Sequence, residues 1–229
     1  MSVFFVTGTD TEVGKTFVSQ TIMHIFEQKR KTCVGYKPVA SGSLMTPEGL
    51  RNEDAVALQN ASTIKLDYDE VNPLAFEEAV APHLAAQRAR REICMRTIAD
   101  GYKNLVKKQA DLTIVEGAGG WRLPIGNRRF MSDFVREYHI PVILVVGVRL
   151  GCINHACMTA EIIKQDGLKI AGWVANHVDA EMPFLNENIK TLKEHIDAPF
   201  LGEIPMVKNP TEAADYLDVS PLLHFDMVA

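Results

Sequence analysis

A glycine-rich segment near the amino terminus carries residue types that bind phosphate. The segment Gly8–Thr16, here called the phosphate loop, follows the apolar run Val3–Val6 and precedes residues with helical spacing. In such a loop, backbone N–H groups and the positive end of the following helix hold phosphate oxygens. Lys15 supplies a cation for the terminal phosphates, and the Thr16 hydroxyl is a ligand suited to Mg²⁺. The segment therefore predicts a binding site for a nucleoside triphosphate.

The spacing within the phosphate loop departs from the general pattern. Gly8 and Gly14 enclose five residues, one more than that pattern has. The prediction therefore depends on the strand–loop–helix context as well as on the motif. Glu12 is unexpected in the loop, because a carboxylate there would repel phosphate. A cationic substrate such as an amine, a bound metal, or simple exposure to solvent would each explain it.

Two further predicted strands end in charged side chains. Lys37 ends the strand predicted at Thr32–Lys37, and Glu116 follows the apolar strand predicted at Leu112–Val115. Ligands of parallel sheets bind at the carboxyl ends of the strands, so we expect Lys37 to face the same crevice as Lys15. Two ammonium groups there would stabilise a transferring phosphoryl group. A carboxylate at the position of Glu116 is typical of a Mg²⁺ ligand opposite the loop hydroxyl.

A second carboxylate would complete this metal site. Asp54 is a candidate, because Mg²⁺ prefers hard oxygen ligands. From spacing alone it cannot be distinguished from Glu53, or from an acid that offsets the dipole of a short helix. Ser41, in the loop after Lys37, is placed to hydrogen-bond a substrate.

Composition limits the class of protein. The 229 residues, 47% hydrophobic and 23% charged, fit one α/β domain spanning residues 1–229. The net charge of −5 argues against a partner nucleic acid. No apolar stretch reaches the length of a membrane span and no export signal is evident, so we expect a cytoplasmic protein with reduced cysteines and no membrane partner.

Strand-like and helical segments alternate along the chain. The predicted strands are Val3–Thr7, Thr32–Lys37, Leu112–Val115, Val142–Val148, Ile170–Ala175 and Phe200–Gly202. The predicted helices are Gly14–Lys29, Asp54–Gln59, Ile93–Lys108, Ile153–Gln165 and Pro183–His195, and Ser41–Pro82 is otherwise predicted to be irregular. This alternation predicts a single-domain α/β P-loop fold, with a mostly parallel sheet flanked by helices on both faces.

Six segments together resemble the dethiobiotin synthetase family. They are Val6–Thr16, Gly35–Gly42, Arg51–Ala55, Val115–Trp121, Leu150–Ala156 and Gly202–Pro205. The resemblance covers nearly the whole chain, and the five-residue spacing of the phosphate loop is normal in this family. It implies a homodimeric ligase that uses ATP and Mg²⁺. One amine of 7,8-diaminononanoate takes up CO₂, ATP phosphorylates the carbamate, and the second amine closes the ring of dethiobiotin with release of ADP and phosphate.

The resemblance also implies a role for each matching residue. Lys37, Lys15 and Thr11 would be catalytic, and the Mg²⁺ ligands would be Thr16, Asp54 and Glu116. Nucleotide contacts would come from Glu12, Val13, Gly14, Lys15, Thr16, Phe17, Asp54, Glu116, Gly117, Ala118 and Gly119. An adenine pocket is implied at Asn176, His177, Pro205, Met206, Val207 and Glu212, although His177 stands where an acid is familiar. Substrate contacts are implied for Thr11, Glu12, Lys37 and Ser41 and, from the neighbouring subunit, for Gly151, Cys152 and Asn154.

Two other classes of protein share the predicted fold. A partitioning-type ATPase would carry a second lysine near the start of the phosphate loop, and the stretch Gly8–Thr11 has none. An amidoligase of cobalamin synthesis would usually need an extra glutaminase domain, for which 229 residues leave no room. The sequence therefore favours the ring-closing ligase.

Overall fold

The computed structural model describes residues 1–225, so the last four residues of the predicted domain lie outside the description. The strands are β1 (Ser2–Gly8), β2 (Cys33–Tyr36), β3 (Val39–Ala40), β4 (Leu44–Thr46), β5 (Gly49–Arg51), β6 (Leu74–Ala75), β7 (Leu112–Gly120), β8 (Pro124–Gly126), β9 (Arg129–Phe130), β10 (Val142–Val148), β11 (Ile170–His177) and β12 (Phe200–Ile204). The helices are α1 (Lys15–Gln28), α2 (Glu53–Ala61), α3 (Tyr68–Val71), α4 (Pro82–Arg88), α5 (Met95–Val106), α6 (Met131–Glu137), α7 (Cys152–Gln165), α8 (Leu185–His195), α9 (Pro210–Ala213) and α10 (Ser220–Leu223). Within the described residues, no helix has the length and apolar character needed to cross a membrane.

Six of the strands form one parallel sheet. Their order is β12–β11–β10–β1–β7–β2. Strand β1 lies between β7 and β10, and Val6 pairs with Glu116 on one side and with Ile143 on the other. Because the strands are parallel, their carboxyl ends lie at one edge of the sheet, where ligands of such folds bind. The phosphate loop, Lys37 and the end of β7 therefore meet at that edge.

Both faces of the sheet are covered by helices. Every residue of β10 is buried, as expected for a parallel strand enclosed on both sides. Leu144 and Val146 belong to one apolar cluster with residues of α7 and α8, whereas Ile143 and Val145 belong to a second cluster with residues of α1. This arrangement confirms the predicted fold class and gives the loops at the carboxyl edge a rigid base.

The structure corrects several predicted bounds. Strand Val142–Val148 was right at both ends, but β7 continues to Gly120 because that residue still pairs with Gly8 of β1. Strand β11 likewise continues through His177, since it keeps pairing with the end of β10. The segment Ser41–Pro82 is more ordered than predicted, because it also holds the hairpin β4–β5, α3 and β6.

Candidate active site

The phosphate loop joins β1 to α1 through a left-handed glycine. Gly14 has a φ of 85° and immediately precedes Lys15, the first residue of α1. A Cβ atom at Gly14 would lie 2.2 Å from Nδ2 of Asn176, the atom that donates a 3.0 Å hydrogen bond to the Val13 carbonyl. Both the backbone conformation and the lack of space therefore require glycine. The end of β11 thus holds the turn that leads into α1.

Glu116 is fully buried within β7 and has a partner on each carboxylate oxygen. Its Oε1 accepts hydrogen bonds from the Thr16 hydroxyl at 2.6 Å and from the Lys37 ammonium at 2.7 Å. Its Oε2 accepts a hydrogen bond from the Ser19 hydroxyl at 2.8 Å. A buried charge is tolerated only when it is paired and hydrogen-bonded in this way. The register of β7 beside β1 thereby directs the carboxylate towards α1.

Lys37 follows β2 and donates three hydrogen bonds from its ammonium group. The acceptors are Glu116 Oε1 at 2.7 Å, Asp54 Oδ2 at 3.0 Å and the Gly117 carbonyl at 3.1 Å. Burial alone would lower the pKa of Lys37, but the two carboxylates outweigh burial and raise the pKa above its ordinary value. Lys37 is therefore a cation at neutral pH, held between two acids.

Helix α2 brings Asp54 to this cluster. The Asn52 side chain caps the helix by accepting a backbone hydrogen bond of 3.3 Å, which places Asp54 in the first turn. Burial would raise the pKa of Asp54, but the Lys37 charge and the hydrogen bond from Lys37 outweigh burial and lower the pKa below its ordinary value. Glu53, which the sequence could not distinguish from Asp54, is exposed.

Thr16, Asp54 and Glu116 supply the oxygen atoms that Mg²⁺ prefers. Two carboxylates and one hydroxyl form a hard donor set, and Mg²⁺ usually keeps waters or phosphate oxygens as its remaining ligands. The Lys37 ammonium lies between the two carboxylates, which indicates that the site favours a positive charge. Among residues 1–225, no group of three or more His, Cys, Asp or Glu side chains could hold a metal ion. A metal here would therefore depend on the Thr16 hydroxyl and on ligands from outside the protein.

Lys15 provides the second ammonium group of the site. Its Nζ donates a 3.0 Å hydrogen bond to the Asp10 carbonyl, and the Asp10 carboxylate pairs with Arg149 from the loop after β10. Burial, followed by repulsion from Lys37, lowers the pKa of Lys15 to about 8. A phosphate would relieve both effects, because it would supply a negative charge within the crevice.

A cavity of about 780 Å³ opens beside these side chains. Its walls include these residues predicted from the sequence: Thr11, Glu12, Gly14, Lys15, Thr16, Phe17, Lys37, Ser41, Asp54, Ala118 and Gly119. Other wall residues were not predicted from the sequence, namely Ala40, Asn52, Ala79, Val80, Ala81, Pro82 and Leu123. The signal in this stretch of sequence was Pro82. Proline is favoured in the first turn of a helix, and α4 begins at this wall residue. Glu12 is exposed and is one of the wall residues of the cavity.

Three predicted substrate residues lie away from the cavity walls. Gly151 and Asn154 are exposed, and Cys152 is buried at the start of α7. Gly151 has a φ of 93° and precedes the first turn of α7, a 14-residue helix. The structure of one chain therefore does not bring these residues to the phosphate loop.

The residues predicted to form an adenine pocket lie around the ends of β11 and β12. Asn176 contacts the phosphate loop, as described above, and His177 pairs with Glu203 through a 2.9 Å contact between Nε2 and Oε1. Met206 and Glu212 are exposed, and none of these side chains lines the cavity. Val13 and Gly117 are buried and do not line the cavity, and the Val13 carbonyl already accepts the Asn176 hydrogen bond.

Comparison with known proteins identifies the family of the chain. The chain matches a family model described as an AAA domain over residues 2–214. It is 50% identical to the ATP-dependent dethiobiotin synthetase of Aeromonas salmonicida over 222 residues, which cover 96% of this chain and 98% of the relative. It is also 50% identical to the enzyme of that name from Pseudomonas aeruginosa strain UCBPP-PA14 over 224 residues, which cover 97% of this chain and 98% of the relative.

Solved structures show the same fold at low sequence identity. The MinC:MinD cell division protein complex of Aquifex aeolicus contains a chain that is 14% identical, with a TM-score of 0.57 and coverage of 93% of this chain and 86% of that one. This likeness concerns the fold alone, whereas the curated relatives match at high identity over nearly their full length. The chain therefore belongs to the dethiobiotin synthetase family.

Proposed function

We propose that the protein is an ATP-dependent ligase that closes the ureido ring of dethiobiotin from 7,8-diaminononanoate and CO₂. Family membership supports the ligase activity in biotin synthesis, and the phosphate loop supports nucleotide binding. The observation that carries the mechanism is the buried contact of Lys37 with Glu116 beside the cavity that Lys15 also lines.

The phosphate loop and α1 would hold the triphosphate of ATP. Backbone N–H groups from Gly14 to Phe17 would contact its oxygens, as expected at a helix that begins with a glycine-rich turn. Lys15 would leave the Asp10 carbonyl and donate to the terminal phosphates. Thr16, Asp54 and Glu116 would hold Mg²⁺, which when bound would neutralise charge on the phosphates.

Lys37 would stabilise the transferring phosphoryl group. In the proposed reaction, an oxygen of the substrate carbamate attacks the terminal phosphorus, the bond to ADP breaks, and a carbamic–phosphoric anhydride forms. Charge on the phosphoryl oxygens would then be met by a cation already placed at the end of β2, so little reorganisation is needed. The second amine attacks the carbonyl carbon, and phosphate leaves with the former carbamate oxygen.

The diamine would lie in the part of the cavity lined by Thr11, Glu12 and Ser41. The exposed Glu12 carboxylate offers attraction to an ammonium group, which explains an acid inside a phosphate loop. The proposal includes a homodimer, because Gly151, Cys152 and Asn154 do not line the cavity of their own chain. N–H groups in the first turn of α7 would bind the substrate carboxylate from the second subunit. A cytoplasmic location remains a prediction of the sequence.

Release of phosphate from ATP tests this function. The purified protein is incubated with ATP and Mg²⁺, and diamine and bicarbonate are added singly and together. We expect rapid release only when both are present, with one dethiobiotin formed per phosphate. Equal release without the diamine would contradict the ligase and favour a nucleotide-switch ATPase.

A further inference from the structure

Ser19 contacts the buried Glu116 carboxylate but does not line the cavity. The side chain lies one turn along α1 from Thr16 and is fully buried. Its hydroxyl donates a 2.8 Å hydrogen bond to Glu116 Oε2, whereas Thr16 and Lys37 share Oε1. Thr16 and Lys37 line the cavity and Ser19 does not. The two oxygens of Glu116 therefore have different surroundings: Oε1 contacts two side chains that line the cavity, and Oε2 contacts a fully buried hydroxyl.

The direction of the Ser19 hydrogen bond is unusual for a serine within a helix. Such hydroxyls commonly donate to the carbonyl one turn earlier, as the buried Thr21 hydroxyl does to the Phe17 carbonyl at 2.8 Å. Ser19 instead donates across to a different element, β7. The bond therefore serves the carboxylate rather than the helix.

We propose that Ser19 is a positioning residue that fixes the carboxylate of Glu116 for metal binding. This inference rests on the proposed function, because it takes Glu116 as a Mg²⁺ ligand. The terminal torsion of a glutamate is broad and intrinsically weakly defined. In the proposed complex, Lys37 donates to the transferring phosphoryl group and the Thr16 hydroxyl binds the metal. Of the three side chains that donate to Glu116 in the structure, Ser19 alone then keeps its hydrogen bond. It keeps Oε2 inside and thereby keeps Oε1 at the cavity.

The test compares Ser19→Ala with Thr21→Val, which removes a buried hydroxyl two positions along the same helix without touching Glu116. Binding of a non-hydrolysable ATP analogue is measured by calorimetry at increasing Mg²⁺ concentration and again without the metal. Loss of a group that orients a metal ligand typically weakens metal affinity by roughly 10–100-fold, which is the loss we expect for Ser19→Ala. We expect unchanged affinity for the metal-free analogue, and wild-type metal affinity in Thr21→Val.

A second variant and a second measurement separate positioning from packing. Ser19→Cys replaces the hydroxyl by a somewhat larger thiol that is a weak donor, so its metal affinity should fall between those of wild type and Ser19→Ala. Melting temperatures of the variants report the structural contribution of the hydroxyl. A hydroxyl with a purely structural role would change the melting temperature without changing metal affinity.

Three results would overturn the inference. Ser19→Ala with wild-type metal affinity would refute it while leaving the proposed function intact, and so would an equal loss of affinity in Thr21→Val. Nucleotide binding by the wild-type protein that does not respond to Mg²⁺ would refute both the inference and the proposed metal role of Glu116.

Discussion

The Lys37 ammonium lies 2.7 Å from Oε1 of Glu116, and this buried contact joins the end of β2 to the middle of β7. The ammonium also reaches Asp54, so one cation is matched to two carboxylates. When Mg²⁺ and ATP bind, the metal would neutralise the carboxylates and the Lys37 ammonium would become available to the phosphoryl group. The same arrangement thus pairs the buried charges in the absence of ligand and holds a cation in place for catalysis.

Replacing Lys37 should affect the chemical step more than nucleotide binding. We expect Lys37→Gln to lower kcat on the order of 10²–10³-fold, as for loss of one preorganised electrostatic contact. Its dissociation constant for the Mg²⁺–ATP analogue should change little, because the loss is confined to the transition state. Steady-state kinetics and calorimetry measure the two quantities. Lys107→Gln, which removes an exposed lysine directly after α5 and outside the cavity walls, is the matched control. An unchanged kcat in Lys37→Gln would remove Lys37 from the mechanism.

Lys15 should reduce stability while it supports catalysis. Its pKa of about 8 lies below the ordinary value of 10.5, so the unfolded chain binds more protons than the folded protein between those values. The cost of burying its charge is therefore fully present below pH 8 and is lost as the pH rises towards 10.5. We expect Lys15→Met without nucleotide to melt several degrees above wild type at pH 7, with the difference shrinking at higher pH. Turnover should fall by about 10²–10³-fold.

Thermal melting across this pH range and steady-state assays check both parts of the Lys15 prediction. If the variant melts below wild type at pH 7, the buried charge is not a cost to the folded state. Near-normal turnover would exclude Lys15 from the phosphate site.

The charged residues at the strand ends were predictable from the sequence, whereas the contact of α1 with Glu116 through Ser19 was not. Lys37 and Glu116 could be assigned to one edge because apolar runs precede them and parallel strands end together. Ser19 could not, because a serine within a helix has a local acceptor available, and only the register of β7 against β1 reveals the cross-element bond.

Short elements were also beyond the reach of sequence patterns. Helix α6 spans seven residues, too few for a helical period to stand out, although the Asp133 carboxylate accepts the Phe130 N–H at 2.9 Å at its start. Asn176 was predicted to follow its strand, but the pairing of β11 with β10 extends through it. Pairing between neighbouring strands, which no single stretch of sequence encodes, decides such bounds.

Replacing Glu12 should weaken binding of the diamine without weakening binding of ATP. Its side chain is exposed and lines the cavity, so its charge should attract an ammonium group more than it disturbs the phosphates. We expect Glu12→Gln to raise the KM for the diamine and to leave the affinity for the ATP analogue nearly unchanged. Glu48→Gln, an exposed acid outside the cavity walls, is the control. The reverse pattern, with weakened nucleotide binding and a normal KM for the diamine, would make Glu12 a phosphate or metal residue.

A shared site between two subunits should show complementation. Lys37→Gln removes the cation near the phosphate loop, and Asn154→Ala changes the exposed start of α7. If the second subunit supplies α7 to the cavity and the Asn154 side chain adds to substrate binding there, each variant alone should have lowered activity. Mixing and reassembling the two variants should then restore part of the activity, because some mixed dimers hold one site with both residues intact. Each variant reassembled alone provides the control. Failure of the mixture to exceed the variants, in dimers shown by mass to be mixed, would contradict the shared site.

The central claim is that the terminal phosphoryl group of ATP is transferred to a carbamate made from CO₂. The most direct measurement is the isotopic composition of the phosphate released in the presence of the diamine and ¹⁸O-labelled CO₂, taken before the label exchanges with water. The mechanism predicts one ¹⁸O atom in each phosphate, because phosphate leaves with the former carbamate oxygen. Phosphate that carries no label, with its new oxygen derived from water, would contradict the account.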